Sequence, residues 1–139
     1  MSRTVLFVCV ENAARSLMAE AMFNADPPRG WDAASAGTEP ARAPNPRTAR
    51  MLGEIGLRLP SHAPQRLTSE LIDRSTLRIT MGCLDRQSCP TKLRSAELTD
   101  WNLPDPAGLD DEGFRQVRDD LRRRVDRLRA DLRSTSAER

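Results

Sequence analysis

A chain of 139 residues suits one domain. Its 38% hydrophobic and 30% charged residues give the balance of a globular protein and exclude a disordered one. No apolar run approaches the roughly 18 residues of a membrane helix, and a net charge of +2, from 22 basic and 20 acidic residues, is too even for a nucleic-acid-binding face.

In chain order, residues 4–8 (Thr-Val-Leu-Phe-Val) are apolar and β-branched and predict a buried strand. The loop 9–15 follows, and from Ser16 the spacing of Leu17, Met18, Ala21 and Met22 predicts a helix. Residues 31–36 predict a second strand, closed by Gly37, and 39–46, with three prolines, a loop. Pro46 opens a helix carrying Met51, Leu52 and Ile55 that stops at Gly56. Residues 60–64 are irregular, Thr68 begins a short helix, 77–81 alternate as a strand, and 97–101 predict a fourth. From Asp110 the row Phe114, Val117, Leu121, Val125, Leu128, Leu132 predicts a long amphipathic helix with an arginine-rich outer face, where Arg122, Arg123 and Arg124 are balanced by Asp119, Asp120 and Asp126. Alternating strands and helices predict an α/β fold, a parallel sheet covered on both faces, as one domain over 1–133 with a frayed tail over 134–139. Sites in such sheets lie beyond the carboxyl ends of strands. The segments after Cys9, at Cys83 and at Asp105 would meet there.

Three cysteines are an odd number, which speaks against a closed disulfide framework. No export signal is legible at the N-terminus, so a cytoplasmic protein is expected. Cysteines in that reducing compartment are catalytic, redox-active, metal-binding or inert more often than structural. The three thiols with the lone His62 match no common zinc spacing, and His62, among prolines, reads as a loop histidine.

The stretch Cys9-Val10-Glu11-Asn12-Ala13-Ala14-Arg15-Ser16 sits between a strand and a helix. Backbone N–H groups in such a turn can wrap a tetrahedral anion, and Arg15 adds a planar fork for two oxygens. Both favour a thiolate at Cys9, which marks it as a nucleophile, and the Ser16 hydroxyl can donate to that sulfur. A small cysteine buried after a core strand is the plain alternative.

These residues match a Cys-x5-Arg-Ser anion loop, and with Asp105-Pro106 and Ser35-Ala36-Gly37-Thr38 the chain resembles the low-molecular-weight protein tyrosine phosphatases and their relatives, the thioredoxin-coupled arsenate reductases. The resemblance implies a three-layer αβα fold on a four-stranded parallel sheet. It implies that Cys9 is the nucleophile, that Val10 to Ser16 hold the oxyanion with Arg15, and that Asp105 is the general acid. It further implies a relay. Cys9 attacks arsenate, Cys83 attacks the adduct and leaves a Cys9–Cys83 disulfide, and Cys89 then takes the oxidation into a Cys83–Cys89 disulfide that an external reductant reaches. A continuous helix over 83–89 would set its ends about 9 Å apart, beyond the roughly 7 Å a disulfide spans. A loop, or a helix that unwinds on oxidation, is therefore expected there.

Many members carry glycine at the place of Glu11. A glutamate pointing into the cradle would repel an anion, so its side chain is expected to turn outward. Many have a second cysteine at the place of Ala14, whose absence leaves Cys83 and Cys89 as partners for Cys9. Relatives acting on phosphotyrosine place aromatics after Asp-Pro. Here Ala107-Gly108 follow, and the chain has no tyrosine, which suits a small inorganic oxyanion. Trp101 is expected in the core or beside the pocket, and Asn12 is expected to hold the loop by side-chain bonds to backbone. Asn12, Glu20 and Ser35 stand where some members bind potassium. Otherwise no obligatory cofactor is implied. The expected partners are arsenate or a phosphate-like oxyanion and thioredoxin or another thiol–disulfide reductant, with no nucleic acid, no membrane and a monomeric chain. Hydrolysis of phosphate monoesters by Cys9, Arg15 and Asp105 alone, or oxyanion binding without turnover, are the competing functions.

Overall fold

The structure, a computed structural model, describes residues 2–82 and 98–137. Cys83 and Cys89, and the expected rearrangement of the segment between them, lie outside the described residues. Strands β1 (Arg3–Cys9), β2 (Trp31–Gly37), β3 (Leu77–Thr80) and β4 (Thr99–Asp100) form one four-stranded sheet in the order β2-β1-β3-β4. Every pairing is parallel, with Cys9 opposite Gly37 at the carboxyl end of β1. The chain leaves β1 toward β2 and later returns on its other side to β3. The end of β1 is therefore the switch point at which parallel sheets open a crevice.

Alternation along β1 divides the core. Val5, Phe7 and Cys9 face one layer with Met18, Met22 and Phe23 of α1 (Arg15–Ala25) and Phe114, Leu121 and Val125 of α4 (Asp111–Ala137). Helix α2 (Pro46–Gly53) adds Met51 and Leu52 to that cluster. Leu6 and Val8 face the opposite layer with Ala36, Leu67 and Ile72, the last carried by α3 (Ser69–Arg74). The result is the αβα sandwich with a four-stranded parallel sheet that the sequence predicts.

Local signals explain most boundaries. Asn45 caps α2, its Oδ1 accepting from Arg47 N–H at 2.9 Å, with Pro46 in the first turn. Thr68 caps α3 through Leu71 N–H at 3.2 Å. Three boundaries differ from the sequence reading. Helix α2 ends at Gly53, and Ile55 lies in a turn closed by Gly56 at φ +78°. Strand β4 is two residues long among those described. The tail read as frayed from 134 is helical through Ala137. No glycine or proline interrupts α4 there, and Thr135 Oγ1 donates to the Asp131 carbonyl at 3.0 Å. Arg123 and Arg124 pair with Asp120 on the outer face of α4, as their spacing implies. Among the described residues, no helix is long and apolar enough to cross a membrane.

Candidate active site

The loop from Cys9 to Ala14 is held from outside by its carbonyls. Those of Cys9, Val10 and Glu11 accept from the N–H groups of Thr38 (3.2 Å), Glu39 (2.8 Å) and Ala41 (2.9 Å). The Ala13 carbonyl accepts from Asn45 N–H at 3.0 Å and from the Thr48 hydroxyl at 2.8 Å. The Ala14 carbonyl begins the ladder of α1, accepting from Met18 N–H at 2.8 Å. With the carbonyls drawn outward, the peptide dipoles turn their N–H ends inward, over the sulfur of Cys9. Asn12 N–H points at that sulfur from 3.2 Å. Helix α1 has no side-chain cap, and its N-terminus directly follows the loop.

The close approach that makes this possible is at Gly37. A methyl group there would lie 2.5 Å from the Val10 carbonyl oxygen and 2.9 Å from Asn12 N, so no side chain fits. The left-handed conformation in the loop falls at Asn12, φ +50°, and not at Glu11. Asparagine tolerates that region better than most residues, and glutamate carries no such strain here. Glu11 is exposed and lies at the rim of the cavity described below. The Asn12 side chain stitches the loop. Its Nδ2 donates to Ser16 Oγ at 2.7 Å and its Oδ1 accepts from Gln65 N–H at 3.0 Å. Ser16 Oγ in turn lies 2.9 Å from the sulfur of Cys9, which is only 3% exposed.

Arg15 is buried, and its Nη1 donates to the carbonyls of Leu103 at 2.7 Å and Met81 at 3.1 Å. Those carbonyls converge because Gly82 sits against Asn102, where a Cβ would meet Asn102 Cα at 2.4 Å. The anchored guanidinium faces Asp105, with Nη2 3.9 Å from Oδ2. Asp105 is largely exposed and caps a 3-10 turn, Pro106–Gly108, its Oδ1 accepting from Ala107 N–H at 3.0 Å. One oxygen is thus engaged by the turn and the other faces the arginine. A cavity of about 280 Å³ lies between, lined by the loop together with Arg15, Asn45, Asp105 and Ala107. The structure therefore brings Cys9, Val10 to Ser16 and Asp105 together at one place. Trp101 packs on Phe7 at 5.7 Å between ring centres and belongs to the core, not to this cavity.

The three residues considered for potassium are adjacent but engaged. Ser35 Oγ donates to Glu20 Oε1 at 2.7 Å, and His62 Nε2 lies 2.8 Å from the same oxygen and 3.0 Å from Oε2. Asn12 Oδ1 is taken by Gln65 N–H. Glu20 is thus shared between Ser35 and the His62 ring. That ring escaped the sequence reading, which made it a loop residue, because its partner is 42 positions away. Asn45, Thr48, Arg47 and Gln65 were missed for the same reason. The Asn-Pro start of α2 was the one local signal near them.

The chain is similar to known proteins over most of its length. An arsenate reductase of Brevibacillus brevis is 30% identical over 123 residues, 88% of this chain and 91% of its own. The thioredoxin-dependent arsenate reductase of Corynebacterium glutamicum has 30% identity and a TM-score of 0.79 over 96% of this chain and 63% of that one. An arginine phosphatase of Geobacillus stearothermophilus has 28% identity and a TM-score of 0.84 over 98% and 96%. Residues 4–138 match the family described as low molecular weight phosphotyrosine protein phosphatase, and the chain belongs to that family.

Proposed function

We propose that the protein reduces arsenate to arsenite by a relay through Cys9, Cys83 and Cys89. The observation that carries the chemistry of the first step is the sulfur of Cys9 under inward-turned amides, with Ser16 at 2.9 Å and the Arg15–Asp105 pair across the cavity. Arsenate binds to the loop amides and Arg15. The Cys9 thiolate attacks arsenic, and Asp105 hands a proton from Oδ2 to the departing oxygen, which leaves as water. Cys83 as thiolate attacks the sulfur of Cys9. The pair of electrons in the sulfur–arsenic bond passes to arsenic, which leaves as arsenite, and a Cys9–Cys83 disulfide remains. Cys89 attacks Cys83 and restores the Cys9 thiolate. An external dithiol such as thioredoxin, supplied by a reducing cytosol, removes the Cys83–Cys89 disulfide. Each turnover converts one arsenate and two thiols into one arsenite, one disulfide and one water. No step needs a resident cofactor.

The reductase is favoured over a phosphatase by the arsenate reductases among the relatives and by two further cysteines in a chain with three. Hydrolysis of phosphate monoesters is the second reading. Cys9, Arg15 and Asp105 suffice for it, and the likeness to an arginine phosphatase supports it. Thiol titration separates them. With arsenate the protein should lose two thiols per arsenite formed, and with p-nitrophenyl phosphate none. Phosphate release with no arsenate-dependent loss of thiols would replace the first reading by the second.

A further inference from the structure

The first turn of α2 touches both halves of the site. Asn45 N–H and the Thr48 hydroxyl hold the Ala13 carbonyl of the anion loop. Arg47, between them, reaches the other way. Its guanidinium donates to the carbonyls of Leu109 at 2.7 Å, Ala107 at 3.1 Å and Pro106 at 3.2 Å, the backbone that follows Asp105. It also covers the Phe114 ring at 4.8 Å. Ala107 thus donates its N–H to Asp105 Oδ1 and gives its carbonyl to Arg47. The turn brackets the cradle on one side and the acid on the other.

We propose that Arg47 is a positioning residue that sets Asp105 over Cys9 and Arg15, acting through the backbone of residues 106–109. The proposal rests on the reading of Asp105 as proton donor. A role in merely tying α2 to α4 explains less. Arg50 already makes that tie with two bonds of 3.0 Å to Asp111, whereas Arg47 approaches Asp111 only at 3.5 Å. The three carbonyls and the ring together suit a planar fork with several donors and a stacking face, which lysine cannot reproduce. Asp105 is exposed and carried on a three-residue turn. Displacing a reacting group by about 1 Å costs on the order of a hundredfold in rate.

The test measures single-turnover loss of the Cys9 thiol on adding arsenate, and protection of Cys9 from iodoacetamide by phosphate, in wild type, R47A, R47K, D105N and R47A/D105N. R47A should slow the arsenate step roughly ten- to a hundredfold while phosphate protection stays within about twofold. R47K, which keeps the charge and the fold, should also be slow at an unchanged melting temperature. R47A/D105N should be no slower than D105N, because Arg47 acts through that carboxyl. A slow D105N with R47A and R47K at wild-type speed, or additive losses in the double variant, would overturn the positioning role alone. D105N at wild-type speed would overturn the proton-donor reading and this inference with it. Should arsenate oxidise no thiol in wild type, the same set read with p-nitrophenyl phosphate tests the same coupling, since both reactions draw on Asp105.

Discussion

Both ring nitrogens of His62 face acceptors, with Nδ1 2.7 Å from the Ala63 carbonyl and Nε2 2.8 Å from Oε1 of Glu20. Only the doubly protonated ring can donate to both. Burial disfavours that charge, but the bonds to Ala63 and Glu20 outweigh it and raise the His62 pKa above its ordinary 6.5. A raised folded-state value stabilises the fold fully below the unfolded pKa, and the gain fades as pH climbs through the folded one. The melting temperature should therefore fall as pH rises from 6.5 through the raised value, and H62Q should flatten that slope. With Glu20 engaged by His62 and Ser35, the melting curves in equal potassium and sodium chloride should coincide. A potassium-specific rise would show that the ring can be displaced.

Among the described residues, Ser16 is the side chain bonded to the Cys9 sulfur. Its Oγ lies 2.9 Å from the Cys9 sulfur, within reach for the hydroxyl to donate to it. Bonds to charged groups are worth about 1.5–3 kcal/mol, so S16A should slow alkylation of Cys9 at neutral pH roughly tenfold or more. S16A also takes the acceptor from the buried Asn12 Nδ2, which should cost about 1–3 kcal/mol of stability. Iodoacetamide kinetics check it.

The relay makes a distinctive demand on Cys89. In C89S the oxidation has nowhere to go beyond Cys83. The variant should form about one arsenite per chain and then stall. Peptide mapping under non-reducing conditions should find Cys9 joined to Cys83. Sustained turnover by C89S with thioredoxin and its reductase would count against the relay.

Gly37 supports the cradle without touching the anion. G37A would press a methyl group to 2.5 Å from the Val10 carbonyl, a backbone atom that is itself bonded to Glu39 N–H. Overpacking of this kind costs about 1–3 kcal/mol, and relief requires the loop to move. Activity should be lost at temperatures where circular dichroism still shows a folded protein, and phosphate should no longer protect Cys9.

The sequence by itself determined the architecture and the place of the Cys9–Ser16 loop. The apolar run of β1, the periodicity of α4 and the helix start at Pro46 act between neighbours in the chain, and local pattern reads them directly. The Cys9–Ser16 loop was legible because its function requires residues adjacent in sequence. Only the tertiary structure decided what surrounds it. The hands that turn the loop carbonyls outward belong to residues 38–48. The carbonyls that aim Arg15 come from the ends of β3 and β4. His62 meets Glu20, and Arg47 meets the Asp105 turn, across separations of 42 and 59 to 62 positions. Such pairs leave no periodic trace, because a hydrogen bond between distant residues depends on where the sheet brings their backbones, and the sheet register is a property of the whole fold.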